Sequence, residues 1–429
     1  MGAPIDANNG ARTEGLPGSS LWRNRDFVLL WSGQAVSVLG AQVAFLAVPL
    51  LALALTRSPA QAGFVEVVGS LPYLALALPA GALVDRWDRK ATMVWCELTR
   101  ALAFGSVPLA YAVGHLSMPH LYVVAAVTGS AFVVFDLANS AALPRVVPPA
   151  QLPRASALIG TATWTVSLFG PGLGGALIGL AGTTALGSVL AYGVNGLSFL
   201  VSAGSLLLMR VAFQEERDPE ARQTVRMLRV DIIEGARFFL AHARLRLLAL
   251  LDASMSLLAG PATLTVIILA RTTLHADART IGLIFSVLSA GGVIGSLVAP
   301  RIATRIPFGT IVVSAFATMA LAALLLAGAV ATPMLMLGGG IVVLAATIYS
   351  ISQNAYRLSL IPDNLQGRVN SAFRLLFFGI EPISMAATGV LLGLVGPRTV
   401  FVLIATIVGV GALTASRTSL RRATLPYMP

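Results

Sequence analysis

The chain has 429 residues, of which 56% are hydrophobic and 11% charged; a soluble protein of that length would carry about 25% charged residues, so there are too few to coat two or three globular domains. Disorder, coiled coil and, with Cys96 as the single cysteine, a disulfide-rich scaffold are excluded, which leaves a polytopic α-helical membrane protein. The net charge of +11 is spread over short loops between apolar stretches rather than gathered in one patch, which argues against a nucleic-acid partner.

Residues 1–21 are rich in Gly, Pro, Ser and Asn, lack an apolar signal core and read as a disordered tail. A membrane span needs about 20 apolar residues, and twelve such stretches follow. They run over 27–54, 62–84, 92–113, 121–143, 155–181 and 185–209, then 246–270, 281–300, 309–331, 334–356, 370–395 and 398–415. They are numbered spans 1 to 12 below. The expected organisation is a bundle over 22–209, a linker over 210–245, a second bundle over 246–415 and a tail over 416–429. With the N-terminus inside, only Arg57, Arg271, Arg279 and Arg398 of the 29 Lys and Arg fall in outer loops. The positive-inside rule therefore predicts both termini in the cytoplasm and a plasma (inner) membrane protein. Within the linker, Val225, Leu228, Ile232, Ile233, Ala236, Phe239 and Leu240 recur at helical spacing, which predicts an amphipathic helix at the inner surface.

The halves repeat at an offset near 218 residues. Asp136 to Pro144 matches Asn354 to Pro362, and Gly63 to Arg86 maps onto Gly282 to Arg305. A six-span unit repeated in parallel predicts two bundles related by an axis along the membrane normal, with substrate between them.

Two motifs stand out. The loop after span 2 reads Gly81-Ala82-Leu83-Val84-Asp85-Arg86-Trp87-Asp88-Arg89-Lys90, an acid followed by bases that can form ion pairs in one conformation and lose them in another. Span 5 contains Gly170-Pro171-Gly172-Leu173-Gly174-Gly175, small residues that admit close helix approach around a proline that permits a kink. The first resembles the signature G-x-L-x-D-R-x-G-R-[KR] of the major facilitator superfamily, with Asp88 where the family has Gly. The second resembles the G-P-x-x-G-G element of its drug-exporting antiporters. Segments Asn24-Arg25-Asp26-Phe27, Leu152 to Ala157, Glu234 to Phe238 and Gly367 to Ser371 look like the branch of siderophore exporters and macrolide-efflux proteins.

The resemblance implies an all-α integral membrane protein with twelve helices in two six-helix pseudo-symmetric bundles. It implies gating by Asp85, Arg86, Arg89 and Lys90, with Asp85 against the start of span 11, and a helix-packing role for Gly170, Pro171, Gly174 and Gly175. The second-half copy of the loop carries Thr304 and Arg305 in place of Asp85 and Arg86, so the gate is expected to be asymmetric.

Acids inside spans are costly and are functional candidates. Glu381 has the deepest expected position and is the first candidate for carrying a proton; it could instead be a structural partner of Arg374. Asp136 and Asp252 lie about two turns from the inner end of their spans and are further candidates, as gate, structural or coupling groups. Glu97 and Arg100 are expected to pair on span 3. Gln34, Gln42, Trp164, Asn195, Tyr349 and Gln353 are polar or aromatic groups at depths suited to a substrate cavity, or to helix packing. There is no nucleotide-binding G-x-x-x-x-G-K-[ST] loop, and the histidines lack metal-ligand spacing. The expected protein is a non-enzymatic, cofactor-free, monomeric exporter of amphipathic small molecules that exchanges them for protons in the lipid bilayer. An importer on the same fold, or a non-transporting scaffold or sensor, are the alternatives.

Overall fold

The structure is a computed structural model and describes residues 21–84, 87–148, 151–211, 213, 241–361 and 366–423. The expected linker helix thus lies outside the described residues. Among the described residues there are helices and no strand, as required of a chain that must satisfy its own backbone within lipid.

Span 1 is built from two helices, Arg25–Ala44 and Ala47–Thr56, which meet at Phe45 and Leu46. Spans 2 to 6 are Pro59–Val84, Arg89–Ala112, Met118–Val146, Leu152–Leu180 and Thr184–Leu208. Spans 7 to 10 are Ala243–Thr272, Ala278–Ala303, Phe308–Ala327 and Thr332–Leu360. Spans 11 and 12 form one run, Gln366–Arg417, broken at Gly396, whose φ of 76° and ψ of 167° are not helical. Glycine tolerates that positive φ, and Pro397 then restarts the helix without needing a backbone donor. Eight of these segments are long and apolar enough to cross a membrane on length and composition alone. Span 3 misses that mark because it carries Arg89, Lys90, Glu97 and Arg100. Large apolar side chains such as Trp95, Leu102, Leu109, Leu250, Leu321 and Leu394 face outward, which suits lipid rather than water.

The packing order repeats. Span 1 packs on spans 5 and 6, span 2 on span 4, and span 3 on spans 4 and 6. Six spans later, span 7 packs on the span 11–12 run, span 8 on span 10, and span 9 on span 10 and on the same run. The contacts between halves exchange in the same way: span 5 lies on span 8, and span 2 on the span 11–12 run. Each half also has a glycine crossing between the corresponding pair of spans. A Cβ at Gly129 of span 4 would collide with the Gly69 carbonyl of span 2, and one at Gly291 of span 8 with the Gly340 carbonyl of span 10. Small residues there let the backbones touch, which is what drives helix association where lipid is as apolar as the side chains.

One ion pair is buried in the first bundle. Glu97 is fully buried, accepts from the Ser202 hydroxyl at 3.0 Å, and lies 3.7 Å from Arg100. The Arg100 guanidinium sits 3.9 Å from the centroid of Phe199. Removing one partner leaves the other buried and uncompensated, so Glu97→Ala is expected to destabilise by about 3–5 kcal/mol. The double variant Glu97→Gln/Arg100→Met should recover most of that loss. Thermal unfolding of the three proteins in one detergent checks this, and equal midpoints for the single and double variants would refute it.

Candidate transport site

Span 7 carries Asp252 roughly 14 Å from its start. Tyr349 and Gln353 are four residues apart on span 10, hence on one face, and that face meets span 7. The Tyr349 hydroxyl donates to Asp252 Oδ1 at 2.7 Å, and Gln353 Nε2 donates to Asp252 Oδ2 at 2.7 Å. Tyr349 and Gln353 are buried, while Asp252 is half-buried. Tyr349 is braced by Phe316 of span 9, edge-to-face at 5.0 Å. Arg357, one turn beyond Gln353, acts on Asp252 electrostatically and hydrogen-bonds Asn354 at 2.8 Å. Each carboxylate oxygen thus has one donor and keeps a lone pair free for another. Asp252 and Tyr349 also line a cavity of about 430 Å3 whose other walls are mostly apolar. Three residues singled out separately from sequence, one as an acid and two as cavity groups, are brought into one cluster.

The two bundles meet at the end opposite Leu21 and Ala423. The Gly-Pro element of span 5 faces two ways there. Gly170 and Gly174, four apart, leave no room for a Cβ against Gln42 and the Val43 carbonyl of span 1. On the other side a Cβ at Gly175 would sit 2.7 Å from Gly282 Cα of span 8, and one at Gly282 would lie 2.7 Å from the Pro171 carbonyl. The equivalent crossing joins Gly63 of span 2 to Gly389 of span 11, with a Cβ at Gly63 only 3.2 Å from Gly389 Cα. Gly63 and Gly282 are the positions that the internal repeat aligns, so the repeat is visible in the contact itself. Phe45 packs on Phe285 at 5.5 Å, and Arg271 Nη2 donates to the Thr184 hydroxyl at 2.7 Å across the same junction. Beside it Asp277 caps span 8, and hydrogen bonds from Thr280 hold its carboxyl below the usual range.

At the opposite end the loop bases serve the first bundle. Lys90 Nζ donates to the carbonyls of Met209 at 2.6 Å and Leu207 at 3.3 Å, and Arg89 donates to the Phe213 carbonyl at 3.4 Å. Arg25 reaches the Leu208 carbonyl at 3.4 Å, and Asp26 accepts from the Arg210 backbone at 2.9 Å. These cations satisfy the orphan carbonyls that end span 6. Asp88, where the family has Gly, caps span 3 by accepting from Ala91 N at 2.7 Å. Asp85 and Arg86 lie outside the described residues.

Of the remaining candidates, Gln34 donates to Asn139 of span 4 at 3.3 Å and Gln42 to Ser167 of span 5 at 2.8 Å. Asn195 is buried and accepts from Ser198 on its own helix. These three make contacts within the first bundle. Asp136 is half-buried on span 4, and Glu381 lies near the middle of span 11 immediately before Pro382. The side chains of Glu381 and Trp164 lie outside the described ones. The sequence reading missed the position of the cavity, inside the second bundle; no local signal marks it, because its walls come from five spans.

Two pseudo-symmetric six-span bundles, touching through glycine crossings at one end and holding a half-buried acid beside a cavity, define a polytopic membrane transporter. The chain belongs to the Major Facilitator Superfamily, whose model matches residues 30–380. It is similar to the multidrug efflux pump Tap of Mycolicibacterium fortuitum, at 24% identity over 84% of this chain and 88% of that one. It also matches macrolide efflux protein A of Streptococcus pyogenes, at 32% identity over 30% of this chain and 32% of that protein. In fold it resembles the crystal structure of a bacterial homologue of the human lysosomal transporter Spinster, with a TM-score of 0.70 at 16% identity, covering 95% of this chain and all of that one.

Proposed function

We propose that this protein is a secondary active exporter of amphipathic small molecules, working as a monomer and exchanging its substrate for protons by alternating access. The positive-inside rule places both termini, and the Lys90 end of the bundle, in the cytoplasm. The glycine crossings then form the outer seal. The observation that carries the reading is Asp252, a half-buried carboxylate within a span, held by two donors of another span and bordering a cavity. A proton bound there removes a buried charge and lowers the cost of passing through a closed intermediate. Among the described residues, Arg357 and Tyr349 are the charged and titratable groups that face it. Export as the direction is supported by the efflux names of its relatives.

The test is a panel of amphipathic compounds offered to inside-out proteoliposomes with an acidic lumen. An exporter concentrates substrate in the lumen as protons leave, and the accumulation collapses when a protonophore dissipates the gradient. A substrate that leaves the lumen along with the protons would establish an importer instead.

A further inference from the structure

The span 10 face that grips Asp252 is itself braced by span 9. Phe316 meets Tyr349 edge-to-face at 5.0 Å, and Phe308, about two turns earlier, stacks on Tyr356 at 4.2 Å. All four rings are buried, and such pairs fix ring orientation as well as burying area. Between the two rungs lies Gln353, the second donor to Asp252, and Arg357 follows Tyr356 directly. The internal repeat puts Arg89 and Glu97 of span 3 at the places of Phe308 and Phe316, and Ala131 and Ala138 of span 4 at those of Tyr349 and Tyr356. The ladder of rings therefore belongs to the bundle that holds Asp252.

The start of span 9 is held by the segment that follows span 12. Its N-cap residue, Pro307, offers no side-chain cap, and Gly309 N donates instead to the Ala423 carbonyl at 3.1 Å. This settles one of the N–H groups that a helix start leaves open. Ser419–Arg422 form the 3-10 turn that brings the carbonyl there, and Leu420 is fully buried in the same core as Phe308 and Tyr356. A Cβ at Gly309 would collide with the Leu420 and Arg421 carbonyls. The first bundle closes the same joint with side chains. Lys90, at the place of Gly309, reaches the Met209 and Leu207 carbonyls, and Asp88, at the place of Pro307, caps span 3. The second bundle has neither side chain and joins backbone to backbone.

We infer that residues 418–423 are a clasp on span 9, and that Phe308 and Phe316 are positioning residues through which the clasp sets the span 10 face that grips Asp252. Releasing it frees the start of span 9, loosens the Phe308–Tyr356 rung and changes how closely Gln353 and Arg357 approach the carboxylate. Hydrogen bonds and charges at that range govern how readily a carboxyl takes up a proton. Among the described residues, the titratable and charged groups facing Asp252 are Tyr349 and Arg357, both on span 10. The span 11–12 run also packs on span 7, and its Arg374 and Glu381 side chains lie outside the described ones. The clasp rests on the reading of Asp252 as the proton-carrying group, and adds what holds that group's surroundings in place.

The experiment follows Asp252 itself, in the full chain reconstituted in lipid, by infrared difference spectra recorded across pH. The carbonyl-stretch band of a protonated carboxyl that Asp252→Asn removes reports its titration. Two variants release the clasp, a chain ending at Arg417 and Gly309→Leu, so one serves if the other fails to fold. Phe308→Ala removes the rung with the clasp in place. A chain ending at Ala423 keeps the clasp, and Val107→Ala, which opens a cavity in the first bundle, controls for lost stability alone. Both clasp variants and Phe308→Ala should move the Asp252 midpoint by more than about half a pH unit, while the two controls leave it in place. Unchanged midpoints in the folded clasp variants overturn the inference even where thermal stability falls, because a merely structural segment would lower stability alone. An equal shift in Val107→Ala overturns it too, as does the absence of any band that Asp252→Asn removes. The export reading fails separately: shifted midpoints in a protein that accumulates no compound under a pH gradient keep the clasp and lose the antiport. Gradient-driven export with midpoints unmoved by releasing the clasp does the reverse.

Discussion

Asp252→Asn is expected to abolish substrate accumulation driven by a pH gradient while the protein still folds and inserts. Asparagine keeps the size and one acceptor oxygen, so either Tyr349 or Gln353 retains its partner, and the other loses one at a cost of about 1–3 kcal/mol. That leaves most bundles folded, but the side chain no longer takes up or releases a proton. Tyr349→Phe is the graded companion. It removes one hydrogen bond to a charged group, worth about 1.5–3 kcal/mol, so transport should slow by roughly 10- to 100-fold without being lost. Both are read in inside-out proteoliposomes with an acidic lumen, alongside size-exclusion profiles that report folding. Gradient-driven transport by a monodisperse Asp252→Asn protein would move the proton to Glu381 or Asp136, and Glu381→Gln in the same assay would decide between those two.

The architecture was largely legible in the chain because lipid imposes a crude rule, about 20 apolar residues per crossing, and loop arginines mark the turns. The break between spans 11 and 12 was legible for a further reason, since Gly396-Pro397 is local turn chemistry. The interruption of span 1 at Phe45 and Leu46 has a local signal too, since Pro49 cannot donate to the Phe45 carbonyl four residues back and its ring crowds it, although the expected span 1 runs straight through. The site divides into a part that is local and a part that is not. Tyr349 and Gln353 lie four apart, so their common face could be read from spacing, and Asp252 was visible as a costly charge. Their meeting depends on how span 7 lies on span 10, across about a hundred residues of chain, and no spacing encodes it. The same holds for Lys90. Its place in a basic loop resembling a gate was evident, but its hydrogen bonds to the end of span 6 follow from where that helix stops.

The glycine crossings at the end opposite Lys90 carry the other large expected effect. Helices packed through ordinary side chains sit about 8–10 Å apart, and the Gly175–Gly282 approach allows no side chain at either position. Gly282→Val should therefore prevent closure at that end without disturbing either bundle, because span 5 and span 8 belong to different halves. Transport is expected to fall below about a tenth of wild type, a loss of more than about 1.4 kcal/mol in the rate-limiting step. The conformational part can be read directly. Spin labels at His115→Cys and His275→Cys, in loops at that same end of opposite halves, should report a longer separation in Gly282→Val than in wild type, with the buried Cys96 replaced by Ala in both. Because Gly63 is the repeat equivalent of Gly282 and meets Gly389 in the same manner, Gly63→Val should lengthen that distance too. A Gly282→Val protein that transports at the wild-type rate, with an unchanged label distance, would show that the bundles close without this contact. An effect at Gly282 but none at Gly63 would show that the two symmetric crossings are not equal partners, and that closure is governed by the span 5–span 8 side, where the Gly-Pro element lies.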